Sequence, residues 1–465
     1  MALSRRDVLT RSAVGADVIA VGDLGGLFSS GPAFAPRGTT LAPMPDPAGI
    51  LDLPPGFSYV IVSRAGDPLP GGGVTPGRHD GTAAFRGPRG GVRLVQNHEI
   101  GSADPFPTLA DPTLTYDPKA KGGTTTLTLD HRLQRLDEYV SLAGTWSNCG
   151  GGRTPWSTWL TCEETEQVAG PTADKDHGFV FEVDPDRMSN NVKPTPLKGL
   201  GRFAHDSACV DPDRGDVFLT EDASNPNGLL YRYRPRDQHP SYGALRNGGF
   251  LQAMRCRQGA THVPDLSVFS APGTKLKVEW VPVPDPLAVT MSIRKQYSAG
   301  EVTRSRKFEG AWWGRGGADD HRDGARSRAH DDRAHFVCSF ARLADGSLAE
   351  HDGQVWAYDP EDETLTLEVH FPRHADLASD AFGGPDGIMV SPFGGLIRAA
   401  DPEGVQHLLA VDEDGTTSVF ARNRLSASEL TGPTFAPDAS VLFANIQDQG
   451  LTFAIRGPFR DRSRG

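Results

Sequence analysis

The sequence predicts an all-β protein, a six-bladed β-propeller with loop insertions and an extended N-terminal segment. Three observations lead there. The first is composition: 54 glycines and 37 prolines among 465 residues, with 37% hydrophobic and 23% charged residues, a turn-rich balance closer to all-β than to helical proteins. The second is a repeated unit of glycine, a short apolar or aromatic strand and an x-Pro turn. It occurs as Gly178-Phe-Val-Phe-Glu-Val-Asp184-Pro185, as Gly228-Leu-Leu-Tyr-Arg-Tyr-Arg234-Pro235 and as Gly353-Gln-Val-Trp-Ala-Tyr-Asp359-Pro360. The third is an alternating unit, a turn followed by a strand that ends in polar residues. Self-similarity at a few tens of residues, with turn signals between short strands, is the mark of a propeller.

Taken in order, residues 1–35 carry Arg5-Arg6, a weakly apolar stretch and Ala33-Phe34-Ala35. Paired arginines before an apolar run and an A-x-A end read as a twin-arginine export signal, so the protein is expected to be periplasmic or extracellular. Residues 36–465 are expected to form one propeller domain, entered through a proline-rich extended segment over 36–55. The six strands that end in polar residues start at Gly91, Trp156, Gly215, Ala334, Gly394 and Ser440. Six copies argue for six blades. If these strands line the central channel, their polar ends converge near its axis. The stretch 312–332 is highly charged and lacks an apolar period, which predicts an exposed insertion; His321 and His330 in it are metal-ligand candidates or solvated loop residues. No apolar run is long enough to span a membrane.

The formal net charge is −12. A negative field argues against nucleic-acid binding and suits a protein that holds cations. Five cysteines, an odd count spread along the chain, do not make a disulfide framework.

The candidate site residues come from the polar strand ends. Cys162, Glu163 and Glu164 follow the strand that begins at Trp156. Thiolate and carboxylate are both metal ligands, and two carboxylates at a buried strand end need compensation. Adjacent strand residues face opposite ways, so Glu163 diverges from a neighbour unless the strand has ended. Cys149 lies in the turn before and Cys338 in mid-strand, which leaves Cys162 as the sharpest thiol candidate. Asn97 and Glu99 are two apart and share a face, offering hard oxygen suited to Ca²⁺ or Fe³⁺. His205 reads as a ligand, as a hydrogen-bond partner of a ligand, or as a histidine packed in a loop. Asp206 follows it, Glu221 and Asp222 close the next strand, and Glu309 precedes a glycine that suggests close backbone approach. Asp386 in Gly384-Pro-Asp-Gly387 is a ligand candidate or a turn aspartate. The sequence has no G-x-S-x-G, H-E-x-x-H or EF-hand loop, so the weight rests on many carboxylates at equivalent places. Several cations in one site suit an anionic substrate and a transferring phosphoryl group.

These residues resemble a known family. Asn148-Cys-x-Gly-Gly-x-Thr-Pro-Trp156, Thr161-Cys-Glu-Glu164, Gly201-Arg-Phe-x-His205, Leu219-Thr-Glu-Asp222, Gly353-Gln-Val-Trp356, Gly384-Pro-Asp386, Thr431-Gly-Pro-Thr-Phe435 and Phe443-x-Asn-Ile-Gln447, with the leader, are similar to the PhoX-type alkaline phosphatases from about residue 50 onward. The resemblance implies a six-bladed propeller with a Ca²⁺/Fe³⁺ cluster on its axis. It implies an exported enzyme acting on a small phosphorylated substrate, with Cys162 as iron ligand and acidic positions at Glu99, Glu163, Glu164, Glu221 and Glu309.

 The implied enzyme is a phosphomonoesterase that dispenses with both zinc and a serine nucleophile, and the implied catalytic residues are Glu309, Lys307 and Glu221. Two positions depart from the family pattern. Asp206 stands where glutamate is frequent, which shortens the reach. Lys307 stands where the family carries a phosphate-clamping arginine, and lysine offers a point charge without the bidentate fork. Two other readings stay open on the residues alone: a non-catalytic Ca²⁺-stabilised propeller that binds a partner, and a propeller hydrolase acting on another ester such as a lactone. A monomer is expected.

Overall fold

The computed structural model describes residues 18–20, 42–237, 241–314, 332–341, 350–373, 384–400, 404–412 and 416–459. Most of the expected leader, and His321 and His330 of the charged insertion, lie outside the described residues. Trp312 and Trp313, assigned to that insertion from sequence, belong instead to the strand Phe308–Gly314.

The described residues form antiparallel strands and short 3-10 turns, with no α-helix among them. The Asp-Pro repeats act as predicted turns. Asp184 Oδ1 accepts from the backbone N–H of Asp186 and Arg187, and Asp359 Oδ1 accepts from Glu361 and Asp362. An aspartate that caps its own turn in this way ends one strand and starts the next. On Thr364–Pro372 buried and part-exposed residues alternate, the period-2 pattern of a strand with one solvated face.

The architecture is all-β and propeller-like. One four-stranded sheet runs in order through His79–Arg86, Val92–His98, Gly122–Leu129 and Arg135–Thr145. A three-stranded sheet follows, from Asn148–Arg153 through Trp159–Glu163 to Val180–Val183. Near the end of the chain, Ser58–Arg64 from the N-terminal side pairs with Leu451–Arg456 from the C-terminal side. That pairing joins the two ends of the domain and covers a sheet edge that would otherwise be open.

One expectation stands in part and one is corrected. Hydrogen bonding divides the described strands into five sheets, so six separate blades are not resolved. The reason is Lys275–Pro282, which pairs with Gly249–Gln258 on one side and Thr364–Pro372 on the other, so that two strand sets merge into one ten-stranded sheet. The strands with polar ends are also not the innermost ones. Val92–His98, Trp159–Glu163 and Val217–Glu221 are each second in their sheets. The innermost are the strands before them. His79–Arg86 packs on Asn148–Arg153, which packs on His205–Val210, then Phe308–Gly314, Pro385–Val390 and Leu430–Phe435, which returns to His79–Arg86.

Apolar clusters fill the spaces between sheets. One joins Leu442, Ala444 and Ile446 to Leu51, Tyr59 and Ile61. Another joins Val217, Leu219 and Tyr231 to Leu160, Cys162 and Val180. This burial holds the inner strands in a fixed ring, and the ring positions the site.

Candidate metal centre

Each of the six inner strands carries the same irregularity. Between His79 and Thr82, Asn148 and Gly151, His205 and Ala208, Phe308 and Ala311, Pro385 and Ile388, and Thr431 and Thr434, three steps on the inner strand face two on its partner. This is a β-bulge, which re-aims a side chain that would otherwise alternate regularly. The bulged residues are Asp80-Gly81, Cys149-Gly150, Asp206-Ser207, Glu309-Gly310, Asp386-Gly387 and Gly432-Pro433. Five bulges therefore present a carboxylate or a thiol.

The small second residue is required by the closeness of the next strand. A Cβ on Gly150 would lie 2.1 Å from Ser207 Oγ and 2.7 Å from Asp206 O, and one on Gly310 would lie 2.6 Å from Asp386 O. Glycine at these positions lets neighbouring bulges touch backbone to backbone.

A second set of candidate ligands comes from residues just past the second strands: Glu99 after Val92–His98, Glu164 after Trp159–Glu163 and Asp222 after Val217–Glu221. Together the two sets make an acidic cup. Ligand atoms of Cys149, Glu164 and Asp206 lie within 4.8 Å of one another, as do those of Glu164, Asp222 and Glu309, and those of Asp206, Glu309 and Asp386. Cys149 Sγ is 3.3 Å from Asp206 Oδ2. Gln447 Nε2 donates to Asp80 Oδ2 at 3.0 Å and Glu99 Oε2 at 2.9 Å, tying the far side of the cup together.

The electrostatics follow from packing like charges in a buried space. Burial, then the neighbouring acids, pushes Glu164, Glu309 and Asp80 well above the usual carboxylate range. Burial raises Asp206 to about 6 and lifts the Cys149 thiol, with Asp206 adding to it. Lys307 Nζ lies 2.9 Å from Glu309 Oε1 and 3.5 Å from Asp222 Oδ2, and those carboxylates raise its pKa against the opposing effect of burial. Lys307, with the Arg78 guanidinium acting on Glu99, does not balance this many acids. The donor set is mostly hard oxygen with one sulfur, a set able to hold metal cations.

Of the residues expected from sequence, Glu99, Glu164, Asp206, Asp222, Glu309, Asp386 and Lys307 meet at the cup. Five others do not, and each has a physical reason. Cys162 is fully buried among Leu160, Val180 and other apolar residues. Glu163 faces away from Glu164, as strand alternation requires; its carboxylate accepts from His177 Nδ1 at 2.6 Å and from the N–H groups of Trp146, Gly178 and Phe179 at 2.9–3.0 Å. Glu221 likewise turns from Asp222 to Tyr231 Oη at 2.7 Å and Arg294 Nη1 at 3.0 Å. His205 packs on the Phe203 ring, its Nε2 3.2 Å from Gly201 O, and burial lowers its pKa to about 3. Asn97 is saturated: Nδ2 donates to Cys149 O and Gly150 O, while Oδ1 accepts from Trp159 and Thr161. It shapes the Cys149 bulge without facing the cup.

Cys149 and Asp80 are the residues that sequence reasoning missed. A signal for both was present, since His-Asp-Gly, Asn-Cys-Gly, His-Asp-Ser, Phe-Glu-Gly and Pro-Asp-Gly recur at the five bulges. A cavity of about 680 Å³, lined by Tyr116, Lys175, Phe179, Lys198, Leu245 and Arg246 among others, shares no residue with the cup.

The family model described as alkaline phosphatase PhoX matches residues 38–450. Among solved structures, the chain is similar to Pseudomonas fluorescens PhoX in complex with vanadate, a transition state analogue, at 16% identity and a TM-score of 0.61, covering 90% of this chain and 97% of that one. It is also similar to a gluconolactonase from Xanthomonas campestris at 13% identity and a TM-score of 0.41, covering 86% and 90% of the two chains. No curated protein matches the sequence.

Proposed function

The chain belongs to the PhoX alkaline phosphatase family, and we propose that it hydrolyses phosphomonoesters at the acidic cup, with calcium and iron held there. Membership makes it a phosphoester hydrolase of the alkaline phosphatase type. The observation that carries the finer reading is the cup itself: three overlapping groups of ligand atoms, each within 4.8 Å, built from equivalent bulges and from the residues just past the second strands. Carboxylates forced together in this way are stabilised by cations far better than by one lysine.

In this reading Glu164, Asp206, Asp222, Glu309, Asp386, Asp80 and Glu99 supply oxygen, and Cys149 supplies the sulfur that favours iron. Bound there, the metals would supply Lewis acidity toward phosphoryl oxygens. Lys307, whose side chain is 42% exposed, offers a positive charge at the open edge, where it can meet a phosphate as a point charge. Glu309 and Asp222 hold its Nζ in place. Asn97, Glu163 and Glu221 keep the ligand-bearing backbone in position without reaching the substrate.

The ring of six inner strands supports a six-bladed propeller in which the ten-stranded sheet is two blades joined by Lys275–Pro282. The Arg5-Arg6 leader supports export by the twin-arginine route, and no helix among the described residues is long and apolar enough to cross a membrane. The test is turnover of p-nitrophenyl phosphate beside metal content. Phosphatase activity that tracks bound calcium and iron supports the reading. Calcium bound without turnover favours a binding module, and turnover of a lactone without phosphatase activity favours the other hydrolase.

A further inference from the structure

Glu164 and Asp222 contribute to the same group of ligand atoms, yet they come from different sheets. Their like charges repel across a short distance, so something must hold the two strand ends together. The backbone does part of this through Ala204, which bridges to Glu164 and accepts from Asp222 N at 3.2 Å. The rest comes from outside the cup. Arg294 Nη1 donates to Glu166 Oε2 at 2.7 Å and to Glu221 Oε1 at 3.0 Å. Glu166 lies two residues after Glu164, and Glu221 lies immediately before Asp222.

Arg294 is itself firmly placed. It sits in the turn Ile293–Lys295, where Ile293 is fully buried in the apolar cluster beneath. Its carbonyl accepts from Arg304 Nη2 at 2.7 Å, and Arg304 Nη1 reaches Asn227 O at 2.9 Å. Arg202 adds a second tie, donating to Glu166 O at 2.9 Å and to Ala288 O at 3.4 Å. The segment carrying Ala288 and Arg294 is thus fastened to the backbone and side chain of Glu166 and to the side chain of Glu221.

We infer that Arg294 is a positioning residue that fixes the spacing of Glu164 and Asp222, and so sets how tightly the cup binds a cation. The inference rests on the metal reading of the cup. Residues behind metal ligands tune affinity because they restrain the geometry of the ligands themselves. Arg294 does this through a shared ion-pair partner, with no contact to substrate.

The experiment measures calcium binding by titration calorimetry on the full chain after chelation, with melting curves alongside. Arg294→Met is expected to weaken calcium binding about 10-fold. Arg294→Lys, which keeps the charge, is expected to recover most of that loss. Glu166→Gln removes one arm while leaving Glu221 paired, and weakens binding in the same direction if Arg294→Met does not fold. Tyr297→Phe is the control: it removes a hydroxyl that donates to Pro282 O in the same segment, and should lower the melting temperature without changing calcium affinity. Wild-type affinity in Arg294→Met, or in Glu166→Gln where the former does not fold, overturns the inference, as does an equal loss in Tyr297→Phe. A wild-type protein that binds no calcium overturns the metal reading and the inference with it.

Discussion

Neighbouring glutamates at one strand end are expected to respond in opposite directions to the same substitution. Glu163→Gln removes a buried carboxylate that accepts four hydrogen bonds, at 2.6, 2.9, 2.9 and 3.0 Å. A glutamine places an NH₂ against at least one of the N–H donors of Trp146, Gly178 and Phe179, and takes the charge from His177. Loss of two charge-assisted bonds at roughly 1.5–3 kcal/mol each gives a destabilisation of about 3–6 kcal/mol, overlapping the roughly 3–5 kcal/mol for breaking a buried pair. Glu164→Gln instead removes one of several repelling acids. Its expected effect on the chelated protein is a gain of about 1 kcal/mol, together with loss of metal binding. Urea unfolding in chelator measures the first quantity and calcium titration the second. Equal stability of Glu163→Gln and wild type, or a chelated Glu164→Gln less stable than wild type, would refute the reasoning.

Three further outcomes follow from the cup. Cys149→Ser should lower bound iron sharply, whereas Cys162→Ala should leave iron in place and cost about 1 kcal/mol as a small core truncation; metal analysis of both proteins decides between the two thiols. Gly150→Ala places a methyl 2.1 Å from Ser207 Oγ and 2.7 Å from Asp206 O, so it should destabilise by about 1–3 kcal/mol and reduce metal content, as read by melting and metal analysis. Asp206 has a folded pKa raised from 3.8 to about 6, so its contribution to stability is fully present below 3.8 and is lost as pH rises toward 6. In chelator, the melting temperature of wild type should therefore fall relative to Asp206→Asn across that window, and saturating calcium should abolish the difference.

The sequence made the strands, their turns and most of the acids legible. Aspartates before proline capped turns as expected, and Glu164 and Asp222, just past the ends of second strands, met Asp206 and Glu309 on the bulges of the inner strands. The bulges were less visible. A bulge adds one residue to one strand, and the resulting pairing depends on the partner strand, which no local period reveals. For that reason Cys162 looked stronger than Cys149: a thiol beside two carboxylates is conspicuous in the sequence, but a regular strand turns it into the core. The alternation that sends Glu163 and Glu221 away from the cup was readable, and became decisive only once the strand was seen to continue through both residues. The merging of two strand sets by Lys275–Pro282 was not readable, because its pairing with Thr364–Pro372 spans a large sequence separation.

The most direct measurement is phosphatase turnover of the purified full chain before chelation, after chelation, and after calcium and iron are restored. The account predicts that turnover is lost with the metal and returns with it. Undiminished turnover from protein shown to hold neither calcium nor iron would contradict it.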